Sequence, residues 1–331
     1  MTKAMQPLVD CATGFVILAI LCVSAASLSG QETASRLASG LTVAGPDRPA
    51  TVPAGYVITP FGYFHPSCTF RIEEGETLLA DGRVNGANGT VAARVPVCSY
   101  AHYTRTGLPV AANARPTTRA REPVIHGWLE SVQAITSTWY GGITATWTVP
   151  PEPAASDNQT LFFFPGFEDT INNLSIVQPV LQWYWPGPWT LASWNCCLAG
   201  NVFESRPLKA KPGDAIFGAV VPMCKKGSGY CPDWKIVSAN QTTGRKTAIR
   251  KAALEGQVWN WAFGAVLEVY GVKQCSDFPA NNSVAFSVQL YDQNRQLIAD
   301  PSWTGMPADP GTDPSCPYGL TVTPTEETLE Y

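Results

Sequence analysis

Charge is scarce in this chain: 15% of its 331 residues are Asp, Glu, Lys or Arg, and the formal net charge is -4. Without a basic field nothing holds a polyanion, so neither nucleic acid nor an anionic membrane surface is expected as a partner. Histidine is scarcer still, at three residues, His65, His102 and His126. None lies beyond position 126, which leaves no imidazole for a Ser-His or Cys-His pair among the strands that follow. A GxSxG elbow, an HExxH pair and a P-loop are also missing. No CxxC pair occurs, so zinc is not expected and no cofactor is implied. Any catalysis here must use carboxylates and amides.

Long apolar runs are absent apart from Gly14 to Val23, which follows Lys3 and precedes the small residues Ser24, Ala25 and Ala26. That run is shorter than the roughly 20 residues a membrane span needs. The layout reads as a signal peptide over residues 1–26, which implies export and a secreted, extracellular chain with no membrane attachment after cleavage. Removal of this leader takes Cys11 and Cys22 with it and leaves eight cysteines. An even count in an exported chain argues for disulfides. Proximity suggests Cys68 with Cys98, Cys224 with Cys231 and Cys275 with Cys316, although spacing alone does not fix connectivity. For Cys196 and Cys197 a vicinal bridge and two separate bridges are equally open. Asn-x-Ser/Thr sequons begin at Asn88, Asn158, Asn173, Asn240 and Asn281, so a glycoprotein is expected if the route of export is eukaryotic.

What the chain has in quantity is turn formers, 28 Gly and 28 Pro, spread between short β-rich runs. This is the pattern of an all-β fold, a two-sheet antiparallel β-sandwich of the concanavalin or lectin kind, with a small disulfide-bonded N-terminal segment. The one helical candidate, Thr247 to Leu254, is short and fits a hairpin equally well. Residues 27–123 read as a propeptide-like or accessory segment, or equally as an N-terminal extension of the same sandwich, ending in a linker, Ala111 to Pro123, that holds Arg115, Arg119 and Arg121 and no large apolar residue. Residues 124–331 read as the sandwich, and the protein is expected to be a monomer. Expected strands include Thr144 to Val149, Thr160 to Phe164, Ser175 to Trp183, Ala215 to Val221, Ala265 to Val272 and Ser283 to Tyr291.

Two of these strands carry polar groups on apolar backgrounds. The two-residue period puts Gln178 and Gln182 on one face of their strand and Val177, Leu181 and Trp183 on the other. Glu268 shares a face with Val266 and Tyr270. A carboxyl among apolar neighbours loses solvation, which raises its pKa and suits it to trade protons.

The order of these segments resembles the glutamic peptidases, or eqolisins, across nearly the whole second block. The series runs through Gly127-Trp128, Thr144 to Pro150, Phe164 to Glu168, Ser175 to Gln178 with Trp183, Trp194, Lys211 to Ile216 and Ala265 to Glu268. The resemblance implies a secreted acid endopeptidase with a polypeptide substrate laid on a concave sheet. It places the catalytic dyad on Gln178 and Glu268, with Phe164, Glu168, Gln182, Trp183 and Trp194 as substrate-binding positions. Glu268 would take a proton from the attacking water, and Gln178 would donate to the oxyanion. The sequence departs from the family at Leu191 to Cys197, which lacks the family's carboxylates, and at Pro179, directly after the candidate Gln. The cluster Trp183, Trp185, Trp189 and Trp194 supports an alternative, a non-catalytic extracellular sandwich that binds glycan or protein through stacked rings.

Overall fold

The computed structural model describes residues 37–45, 47–110, 128–155, 158–171, 175–227, 230–254 and 256–331. The leader, the Ala111 to Pro123 linker and the Asn173 sequon lie outside the described residues. Strands and short 3-10 turns make up the secondary structure of the described residues. No helix among them is long and apolar enough to cross a membrane. The segment Arg245–Ala252, overlapping the helical candidate, is a strand, because its alternating burial seats Thr247, Ile249 and Lys251 on one face.

Two large sheets form a sandwich. One runs, in spatial order, Thr304–Met306, Trp128–Ile135, Trp261–Tyr270, Thr160–Asp169, Ser175–Tyr184, Thr190–Cys196, Val202–Ser205 and Thr69–Ile72, with Leu208–Lys209 pairing to one side. The other runs from Gly319–Val322 through Ser283–Asp292, Tyr140–Thr148, Ala215–Pro222 and Asp233–Asn240 to Arg245–Ala252, then Thr77–Leu78, Arg83–Asn85 and Val91–Arg94. The expected strands are therefore present, several of them longer than the sequence suggested, because pairing resumes beyond Pro165 at Gly166 to Glu168, opposite Trp261 to Phe263. The pairing is antiparallel except at two joints, where Thr69–Ile72 runs parallel to Val202–Ser205 and Thr77–Leu78 parallel to Arg245–Ala252. At both joints the 51–106 block pairs directly with the later strands.

Between the sheets lies the main core, in which Phe163, Val177, Leu181, Trp183, Trp189, Leu191 and Leu267 face Ile143, Trp147, Ile216, Val220 and Phe286. The sheets approach closely where a Cβ on Gly218 would lie 2.7 Å from the Pro179 ring. Pro179 also explains how a proline survives in a central strand. The ladder between Thr160–Asp169 and Ser175–Tyr184 skips from Phe163↔Leu181 to Phe167↔Val177, and the skipped stretch holds Pro165 on one strand and Pro179 on the other. Neither proline has an N–H to donate, so both fall in one local gap of the ladder and no donor is stranded. Gly166, in the same gap, has no room for a side chain: its Cβ would lie 2.3 Å from the Val177 carbonyl oxygen and 2.5 Å from the Phe263 ring. Gly166→Ala is therefore expected to destabilise the fold by about 1–3 kcal/mol, read as a lower urea midpoint at unchanged slope.

Four disulfides close the described chain: Cys68–Cys98, Cys224–Cys231, Cys275–Cys316 and the vicinal Cys196–Cys197. They are compatible with an extracellular protein. The Asn240 sequon is not a surface loop, since Asn240 is buried and its side-chain amide donates to Asp214 Oδ2 at 2.7 Å.

Candidate active site

Both residues of the expected dyad sit on the outer, concave face of the first sheet. Gln178 lies on Ser175–Tyr184 beside the buried Ile176 and Val180, and Glu268 lies on Trp261–Tyr270 between Val266 and Tyr270. The two-residue period therefore assigned the faces correctly, with Val177 and Leu181 turned to the opposite core.

Register fixes their relation. Glu268 is level with Phe162 and, through it, with Gln182. Gln178 is level with Trp194 and, through it, with Glu204. Glu268 and Gln178 are thus two strands apart across the sheet and four residues apart along it. Gln182 and Glu204 span the same offset in the same sense, and their side chains meet, with Gln182 Nε2 donating to Glu204 Oε1 at 3.1 Å. On this face, then, a Gln and a Glu at that offset can meet side chain to side chain, as Gln182 and Glu204 do.

The two pairs differ in what their atoms touch. The Gln182 amide is engaged on both sides, because Trp194 Nε1 donates to its oxygen at 2.8 Å. Gln178 is 0% exposed and neither its amide oxygen nor its nitrogen has a partner among the described residues. An unmade hydrogen bond on a buried polar atom costs about 1–3 kcal/mol, so this amide is kept at a price that packing does not explain. Glu268 is likewise 0% exposed; Oε1 accepts from the Tyr270 hydroxyl at 2.5 Å and Oε2 has no partner. Burial pushes its carboxyl up to about 8, against the smaller downward pull of the Tyr270 hydrogen bond and the charge of Arg105.

The other expected positions divide. Phe164, Gln182 and Trp194 lie on the concave face. Glu168, buried and pushed up to about 8 by burial and by Asp169, is level with Ile176 on the far side of Gln178 from Glu268. Trp183 does not belong here: it points into the core between the sheets and packs on Trp189 at 5.3 Å. Its odd position on the strand dictates this, since the same period that turns Gln178 and Gln182 to the concave face turns Trp183 to the opposite one. With Trp183 and Trp189 in the core, Trp194 on the concave face and only Trp185 partly exposed, the four rings do not share a surface.

Two features escaped the sequence. Glu204 is a buried carboxyl on Val202–Ser205, pushed up to about 7 chiefly by burial. It supplies on the neighbouring strand the carboxylate that Leu191 to Cys197 lacks; the alternation Val202, Glu204 was the available signal, but the strand is only four residues long. The second is a cover. A small sheet of Val57–Thr59, Gly62–Phe64, His102–Tyr103 and Pro109–Val110 lies on the concave face. Phe61 packs edge-on against Trp194 at 6.1 Å and Tyr63 against Tyr270 at 5.3 Å, while Phe61, Tyr63 and Phe64 are buried. Tyr184 donates to the Ile58 carbonyl at 3.4 Å, and Lys273 pairs with Asp47 at 2.7 Å. Phe61→Ala is expected to cost about 3–5 kcal/mol and to speed amide hydrogen exchange in Thr190–Cys196. Unchanged exchange there would show that the ring does not seal the face.

No family model and no curated protein matches the chain. Among solved structures it is similar to scytalido-glutamic peptidase with a transition state analog inhibitor, at 14% identity and a TM-score of 0.46, covering 62% of this chain and 98% of that one. It is similar to SCP-B, described as a member of the eqolisin family in complex with the tripeptide Ala-Ile-His, at 14% identity and a TM-score of 0.44, with the same coverage. A distant likeness of this degree assigns neither family nor activity.

Proposed function

We propose that the concave face is a peptide-hydrolysing site of glutamic type, with Glu268 as general base and Gln178 as oxyanion donor, in an exported protein. The observation that carries this reading is the Gln178 amide, fully buried with both polar atoms unpartnered on the face that also holds an unpartnered carboxyl oxygen. A substrate carbonyl and an attacking water are groups of the right kind to meet those atoms. Gln178 is favoured over Gln182, whose amide is already held by Trp194 and Glu204.

Proton logic makes the covered form latent. With its carboxyl raised to about 8, Glu268 is protonated throughout the acid range and cannot take a proton from water. Displacing the cover would readmit water and return the carboxyl toward its ordinary value of 4.5, where it ionises at mildly acid pH. Residues 27–123 thus act as a propeptide-like or accessory segment, and its basic linker, Arg115 to Arg121, is the natural place to loosen it.

The test is hydrolysis of a denatured protein between about pH 2 and 8 by the intact chain, by Phe61→Ala, and by Glu268→Gln and Gln178→Ala made in the Phe61→Ala background. Activity that rises when the cover is loosened and vanishes in both dyad variants supports the reading. Activity equal in all forms rejects the dyad, and none in any form leaves an extracellular binding module.

A further inference from the structure

A cavity of about 290 Å³ opens at the end of the concave face, over the Gln182 and Glu204 side chains. Its walls combine the apolar and aromatic Leu41, Tyr184, Trp185, Pro186 and Pro188 with the hydroxyl-bearing Ser39, Thr42 and Thr190. Its floor is built. Glu204 is 1% exposed, Oε1 accepts from Gln182, and Oε2 has no partner among the described residues. Gln182 is in turn oriented by Trp194, because an indole N–H only donates and so fixes which end of the amide is oxygen. The carboxyl is therefore held in one place, with one oxygen left over.

One cation is near: the charge of Arg71 pulls the Glu204 carboxyl down, against the larger effect of burial, but no hydrogen bond joins the two among the described residues. Arg71 is level with Glu204 on the adjoining strand, but its guanidinium donates to the Ser39 carbonyl and hydroxyl oxygens, each at 3.3 Å. A carboxylate at the floor of an open cavity with proline and aromatic walls selects a ligand with a positive head on an aliphatic stem. The stem packs on proline and indole, the head reaches the free oxygen, and ring faces tolerate the charge.

We infer that this cavity is a specificity subsite that receives an arginine or lysine side chain, with Glu204 as the group that recognises its charge. The identity of the occupant as part of a peptide rests on the peptidase reading; the preference for a cation does not. The groups facing Glu204 are Gln182 and Tyr184 from one strand, Trp194 from the next and Arg71 from the far one. With Glu204 titrating near 7, the cation should bind at pH 8 and be released as the carboxyl protonates on the way to pH 5.5.

Isothermal calorimetry on the full chain decides it, using N-acetyl-arginine methylamide against its neutral isostere, N-acetyl-citrulline methylamide. The arginine compound should bind at least tenfold more tightly at pH 8, lose most of that advantage at pH 5.5, and lose it entirely in Glu204→Gln. Equal affinities in the unaltered protein, or no binding of either compound, would overturn the subsite. Because calorimetry needs no turnover, a chain that discriminates the two probes yet hydrolyses nothing would retain the subsite while the peptidase reading failed.

Discussion

With the cover loosened, Glu268→Gln is expected to lower kcat/KM on a denatured protein by about 10³-fold or more. A positioned general base contributes roughly 10²–10⁴-fold, and the isosteric amide leaves the fold undisturbed while removing the proton acceptor. Gln178→Ala removes one oxyanion donor and should cost about 10²–10³-fold, mostly in kcat, because the donor acts on charge that develops only in the transition state. The two losses should not add, since both groups act on one tetrahedral intermediate and removal of either strands the other. A Glu268→Gln protein that retains most of the activity while Gln178→Ala loses it would point to a different base. Glu204 and Glu168 are the buried carboxyls on the same face that would then be tried.

The second large effect concerns stability. The thermal midpoint of the intact protein is expected to be highest near pH 4.5 and to fall as pH rises toward 8. Glu130, Glu168 and Glu268 are each pushed up to about 8 and Glu204 to about 7, in every case chiefly by burial, from the ordinary value of 4.5. Between those limits the folded state holds protons that the unfolded state has released, so stability present below about 4.5 is lost as pH climbs through the folded values. Glu327, also buried with neither oxygen partnered, adds in the same direction. Two groups oppose the trend. His102, lowered to about 4 by burial, favours the folded state as pH rises from 4 to 6.5, and Lys251, lowered to about 7, does so above 7. One pKa unit corresponds to about 1.4 kcal/mol, so a single fully buried carboxyl carried across this window is worth on the order of 4–5 kcal/mol. At about 2–4 °C per kcal/mol, the midpoint should drop by roughly 10 °C or more between pH 4.5 and 8. A midpoint that rises over that range would show that these carboxyls are ionised in the folded protein.

Much of this was written in local pattern. The strand Ser175–Tyr184 announces itself by alternation, and the same alternation places Gln178 and Gln182 on one face, because successive side chains of an extended chain must point to opposite sides. That rule also puts Trp183 on the opposite face, in agreement with its place in the core between the sheets and against the substrate-binding position that the resemblance implied for it. Three of the disulfides follow proximity in sequence, since short loops bring their ends together at little entropic cost.

Other features depended on strands far apart in the chain. That Glu268 is level with Gln182 while Gln178 is level with Glu204 is a statement about register, and register is set by packing across several strands at once. Glu204 became part of the site only because Val202–Ser205 pairs with Thr190–Cys196, and the cover exists only because Phe61 and Tyr63 reach Trp194 and Tyr270 across more than a hundred residues of chain. Composition and period determined by themselves that this is a β-sandwich and that Gln178 and Gln182 share one strand face, since both are local properties of an extended backbone. Tertiary structure alone decided which carboxyl meets which amide and that water is shut out above them, because burial and reach belong to surfaces that no single strand possesses.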